Sequence, residues 1–307
     1  MATNPDTIQQ HEQDRRKREA EAAALLALLL GRLKVTRGLP KGGLYSLPAM
    51  IANAKAKPTP FRRIIPTESL RSDIATPYFD VVRAWAAERG TILAAYADAL
   101  PARGEALAPN AVADVQRAID AAERRVLAKL PTIQRKVHPS LDRLATWHRG
   151  QWVNRIRAAT GLDVAPLTGQ GEVAAAVSNA VTAGIAAVKG ASDEIARKTA
   201  AALTDALTAN VPTADAATML SGTLNAARKR AARKGVDAAD GLSGGMLRAR
   251  RIAAGLEKWT WRHSPNVRYP RPIHVARESK VFSSGNQPSE MPGQLIGCQC
   301  WEEPSLS

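Results

Sequence analysis

At 307 residues, with a formal net charge of +15 and 45% hydrophobic residues, the chain is long enough to bury a core without disulfides or other staples. Only 4% of residues are aromatic and alanine supplies much of the apolar content, which argues against a thick β-sandwich and for many closely packed helices. The two cysteines stand one residue apart, which excludes a disulfide framework and points to synthesis in a cytosol.

The charge is unevenly placed. Residues 1–76 carry 13 Lys/Arg against 7 Asp/Glu, residues 77–227 carry 16 against 14, and residues 228–307 carry 14 against 7. Basic ends on a near-neutral middle are the electrostatic pattern of a chain that adheres to a polyanion, with an affinity that falls as salt rises. Nucleic acid is the obvious polyanion, although surface Lys and Arg also serve solubility.

In chain order, "HEQDRRKREAEAAALLALLLGRLKV" reads as a helix with a charged start and an apolar second half. Its apolar run at 22–31 is about half of what a bilayer crossing needs, so no membrane span or signal peptide is expected. Gly38 to Thr76 is rich in proline and basic clusters and reads as an extended arm or a wrapped linker rather than a compact unit, and such arms often dock on a neighbouring subunit.

A helical body is expected over 77–254. Thr76 and Pro77 suggest an N-cap and a first helical residue, with that helix ending before Pro101. Val112, Val115, Ile119, Ala122, Val126 and Leu130 form one apolar stripe on the next helix. A third follows with Leu141, Leu144, Trp147, Trp152 and Ile156 inward and a C-cap at Gly161.

Then Val173, Val177, Val181 and Ile185 step by four, and Ser192 is expected to cap a separate helix bearing Ile195, Thr199, Leu203 and Leu207, so that the two form a hairpin. "RKRAARK" places Arg228, Lys229, Arg230, Arg233 and Lys234 within seven residues, and Arg248, Arg250 and Arg251 form a second cluster. These eight side chains are the candidate phosphate contacts, against the plainer reading of a solvated helix face.

After Gly255 the pattern changes. "LEKWTWRHS" and "KVFSSGN" read as short strands, and the prolines between and after them exclude long elements. The expected fold class is therefore mainly α: a helical body with an extended basic N-terminal arm (1–76) and a small α+β C-terminal cap (255–307).

This last segment resembles the C-terminal domain of the phage Mu F-like head morphogenesis family, the minor head proteins of tailed phages. Gly255, Trp261, Arg268, His274, Phe282, Cys298 and Cys300 carry the resemblance, which extends less specifically over the helices back to about residue 138. It implies a low-copy virion component in the capsid interior near the portal vertex, present in the host cytoplasm during assembly. The partners implied are the portal protein, other head proteins and packaged double-stranded DNA. A toxin-like or nucleic-acid-binding enzyme carrying the same cap is the alternative.

His263, His274, Cys298 and Cys300 are four soft or borderline ligands, enough in number for tetrahedral zinc. The competing reading is a histidine bonded to backbone beneath the cap, with two thiols filling a small apolar gap. An enzyme is not expected. A Cys-His pair is formally present, but no third orienting residue can be named. Between His263 and Gln287 only Glu278 is acidic, and "GLSGGM" lacks the Lys and Ser/Thr of a phosphate loop.

Overall fold

The structure is a computed structural model and describes residues 43–102, 105–264, 271–295 and 297–306. Six α-helices precede the small sheet among these residues: α1 (Leu47–Asn53), α2 (Glu68–Ala99), α3 (Ala111–Gln134), α4 (Val137–Thr160), α5 (Ala174–Thr208) and α6 (Thr213–Ala253). Then come β1 (Lys258–Arg262), the short helix α7 (Pro272–Val275), β2 (Val281–Ser283) and β3 (Trp301–Pro304). The fold is mainly helical with a small antiparallel sheet near the C-terminus, as the sequence leads one to expect. The expected helix over residues 11–35 lies outside the described residues.

The main core lies between α2, α3, α5 and α6. The stripe on α3 is buried from Val115 through Leu130, with Val112 half-buried, because steps of three and four hold one face of a helix towards its neighbours. Helix α4 buries Leu141, Leu144, Trp152 and Ile156 and ends at Gly161, whose φ of 77° is the left-handed conformation of a C-cap.

Three expectations about the helices are corrected. Helix α2 is capped by Thr67, whose hydroxyl accepts from Leu70 N at 3.4 Å, so a division of the chain at residue 76 falls inside a helix. Pro77 sits in its interior, where it cannot donate to the carbonyl four residues back, that of Asp73. The Ser140 hydroxyl of α4 lies 3.3 Å from that carbonyl and 3.0 Å from Lys136 O, sharing its hydrogen between them.

Nor does Ser192 start a helix. Helix α5 runs unbroken through it, and the fully buried Ser192 hydroxyl instead accepts from Trp85 Nε1 at 3.0 Å. The helical hairpin is formed by α5 and α6 across the turn at 209–212. Finally, residues stepping by four drift about 40° per step round a helix. Val173 and Val177 are accordingly buried, Val181 is half-buried and Ile185 is exposed.

By length and composition Gly171–Thr208 is apolar enough to cross a membrane, holding an 18-residue stretch with a mean hydropathy of 1.4 of which 17% is buried. Much of that apolarity is alanine, and Val188, Ile195, Leu203 and Leu207 are buried in the main core.

Residues 43–67 do not reach away from the body. Tyr45, Leu47, Ile51, Phe61 and Ile64 bury against Trp152, Val153, Ile156, Leu247 and Leu306, and the Phe61 and Trp152 rings lie 5.5 Å apart. Their backbone completes helix ends. Leu44 N and Tyr45 N donate to Ala253 O at 2.7 and 3.0 Å, and Thr59 N donates to Ala159 O at 2.9 Å. At the end of α6, Arg250 O, Arg251 O and Ile252 O accept from Ala254, Leu256 and Gly255, so none of its last four carbonyls is orphaned. This Schellman pattern needs a left-handed residue after the helix, which Gly255 supplies with φ of 70°.

Helices α2 and α6 pack tightly at Gly235. A Cβ there would stand 2.4 Å from Ala75 Cβ and 2.8 Å from Ala75 Cα, and backbone cannot yield cheaply. Gly235→Ala should therefore destabilise the protein by about 1–3 kcal/mol in urea unfolding, whereas Gly150→Ala, which meets nothing, should not.

Candidate functional site

The small sheet has the order β2-β1-β3 and is antiparallel throughout. Its register sets Trp259 opposite Phe282 and Pro304, and Trp261 opposite Glu302, so these five side chains share one face. The face is buried: Trp259 and Trp261 are fully enclosed, and Trp259 stacks on Phe282 at 4.9 Å. Alternation in "KWTWR" announces β1. "WEEP" gives no such signal, because Glu302 occupies an inward position where an apolar residue is expected, and β3 is missed for that reason.

Glu302 explains the second arginine cluster. Its carboxylate accepts from Arg248 Nε at 2.6 Å and from Arg251 Nε at 3.1 Å, and Arg251 also donates to Leu256 O at 2.6 Å. Arg250 donates to Glu172 Oε2 at 2.8 Å and Gly169 O at 2.9 Å. The side chains of Arg250 and Arg251 are 0% exposed, so neither reaches a phosphate. Arg248 is committed to Glu302. The expectation that Arg250 and Arg251 contact nucleic acid is thus corrected: they lie where α6 meets the cap and the 165–173 turns, and buried cations require paired carboxylates, whereas Arg248 keeps 26% of its side chain exposed.

The first cluster divides. Arg230 pairs with Glu194 at 3.2 Å and Lys234 lies 5.9 Å over the Tyr78 ring, so both are partly occupied. Arg228, Lys229 and Arg233 are exposed and turn away from the buried stripe of Leu224, Ala227, Ala231 and Gly235. Arg228 also lines a groove of about 440 Å³ between α2 and α6, together with Arg83 and Arg89. These two α2 residues gave no signal in the sequence because each is a lone cation, Arg83 between Val82 and Ala84 and Arg89 next to the acidic Glu88. "GLSGGM" lies within α6 and is helical.

Of the four candidate metal ligands, the structure brings together three. His274 Nδ1 lies 3.4 Å from Cys298 Sγ and 3.7 Å from Cys300 Sγ, and the three ligand atoms all fall within 4.8 Å of one another. All three residues are buried, and the Trp261 ring meets the imidazole edge-on at 5.2 Å. His263 is not among them. It follows the end of β1, where its backbone N–H donates to Glu278. Nor is His274 held by backbone: its Nε2 faces Glu290 Oε2 at 3.2 Å, a partner with no sequence signal.

The thiols are unequal. The neighbouring Cys300 thiol, with backbone N–H groups of Cys300 and Gly293, holds Cys298 well below the usual thiol range, while the Cys298 sulfur and burial push Cys300 up. The pocket offers two sulfurs and one nitrogen, the donor set of a soft or borderline cation. The chemistry on view is thus a buried ligand cluster in the cap and an exposed cationic face on α6. No family model, curated protein or solved structure matches this chain.

Proposed function

We propose that this chain is a minor head protein of a tailed phage, a low-copy component that joins the portal and the packaged DNA. The observation carrying this reading is the convergence of the resemblance residues: Trp261, His274, Phe282, Cys298 and Cys300 meet in one buried cluster, although 39 positions separate the first from the last. Gly255 supports it too, as the left-handed hinge from which the chain leaves α6 for the cap. Residue 268 lies outside the described residues.

In this reading the helical body and wrapped arm are scaffold, and Arg228, Lys229 and Arg233 present charge to the DNA backbone. Phosphate contacts position a protein without reading sequence, which suits a partner packed regardless of its sequence. Replacing all three with Glu should weaken binding to double-stranded DNA and lower the salt slope of log K by roughly one unit for each phosphate no longer neutralised. Arg250→Lys should leave the salt slope unchanged. A gel-shift titration across ionic strength reads both. Quantitative mass spectrometry of purified particles tests the larger claim: few copies per particle are expected, and particles that lack the chain yet package and eject DNA normally would overturn it.

A further inference from the structure

We propose that His274 Nδ1, Cys298 Sγ and Cys300 Sγ bind one zinc ion, which clamps the cap in its folded form. The site rests on its own geometry and does not depend on the head-protein reading.

Zinc bonds of about 2.3 Å to sulfur and about 2.0–2.1 Å to nitrogen place a nitrogen and a sulfur about 3.5 Å apart on a tetrahedral ion. The observed separations of 3.4 and 3.7 Å bracket that value. The imidazole is also oriented as a ligand: with Nε2 towards Glu290 Oε2 at 3.2 Å, Nδ1 is left with its lone pair directed at the sulfurs. A carboxylate behind a metal-binding histidine fixes the ring and raises its basicity.

Charge supports the same ion. Two thiolates and one divalent cation sum to zero, so the buried site holds no net charge, whereas a lone thiolate there carries its full desolvation cost. On binding, the two thiol protons leave to solvent as the sulfurs coordinate. A bond between the two cysteines is the competing fate, but residues one apart close a strained ring, and both are free in the structure. Among the described residues no fourth His, Cys, Asp or Glu joins the group, which leaves one position of a tetrahedral ion for a ligand from outside it.

The placement gives the ion a structural task. His274 sits on α7, between β1 and β2, while the cysteines immediately precede β3. One ion therefore ties both ends of the 274–300 segment beneath Trp261. Short strands with little area of their own gain most from such a clamp.

The experiment uses the full chain, reduced, stripped with chelator and re-loaded with zinc or cobalt(II). Elemental analysis should give about one tightly held zinc per chain, and cobalt should show thiolate charge-transfer absorption with tetrahedral d–d bands. Glu290→Gln keeps all three ligands and should weaken zinc binding about 10- to 100-fold, and His263→Ala should not weaken it. Cys298→Ser and Cys300→Ser should each abolish the cobalt-thiolate absorption. Because those variants risk misfolding, thiol alkylation of the wild-type protein supplies an independent reading: both cysteines should be shielded with zinc and reactive after chelation. A folded, reduced chain that takes up no zinc, or one whose thiols alkylate at the same rate with and without it, overturns the proposal. So does loss of the metal in His263→Ala.

Discussion

Glu302→Ala should cost about 3–5 kcal/mol of stability, the largest effect expected from any single carboxylate here. The side chain is 2% exposed and neutralises Arg251, itself 0% exposed, while also holding Arg248. Truncation leaves a guanidinium buried without its counter-charge, and that uncompensated charge dominates the cost rather than the pair's own attraction. Urea unfolding should show a lower midpoint with little change in slope.

The comparison is Asp114→Ala, which breaks an exposed pair with Arg117 and should change stability by less than about 1 kcal/mol. A second comparison separates charge from packing. Glu302→Leu combined with Arg251→Met should recover much of the loss, because well-packed apolar groups often replace a buried ion pair without penalty. If Glu302→Ala costs no more than Asp114→Ala, the cap is not seated on α6 through this carboxylate.

Acidification should destabilise the protein through His148 by roughly 4–5 kcal/mol in all, at about 1.4 kcal/mol per pH unit. His148 is fully enclosed on α4, and burial first, then the nearby Arg250 cation, lowers its pKa from 6.5 to about 3. Both ring nitrogens lack a well-formed hydrogen bond, the Ser243 backbone offering only a weak contact.

Between those two pKa values the unfolded chain holds a proton that the folded chain refuses, so stability rises with pH. The contribution is complete above 6.5 and is lost progressively as pH falls towards 3. Glu172, the partner of Arg250, acts in the opposite sense. Burial raises its carboxyl, so the fold takes up that proton early, and the His148 slope is cleanest above the carboxylate range. Urea midpoints for wild type and His148→Leu from pH 7 to about 5 read the effect. The variant should lose the slope whatever its stability at neutral pH, and an unchanged slope would assign acid sensitivity elsewhere.

Much of the helical body is legible from spacing because a helix buries a face, and burial at steps of three and four needs only the chain's own order. The stripe on α3, the C-cap at Gly161 and the alternation of β1 are of this kind. Cap and break signals mislead where a distant residue removes the reason for the break. Pro77 looks like a helix start, but Ser140 from α4 reaches the carbonyl that proline abandons. Ser192 looks like a cap, but Trp85 from α2 occupies its hydroxyl.

The charged residues follow the same logic. "RKRAARK" and "RARR" are equally basic as strings, yet Arg228, Lys229 and Arg233 face outward while Arg250 and Arg251 are enclosed beside Glu172 and Glu302. The carboxylates that decide this lie 78 and 51 positions away along the chain.

The order of residues alone therefore specifies the buried stripe of α3, where α4 stops, and that the pattern changes after Gly255, because those features depend on neighbours within a turn or two. Which cations are hidden, that Glu290 rather than backbone orients His274, and that three of four candidate ligands meet are set only when distant segments pack. Burial makes an unpaired charge or donor costly, and only contact between remote parts of the chain supplies its partner.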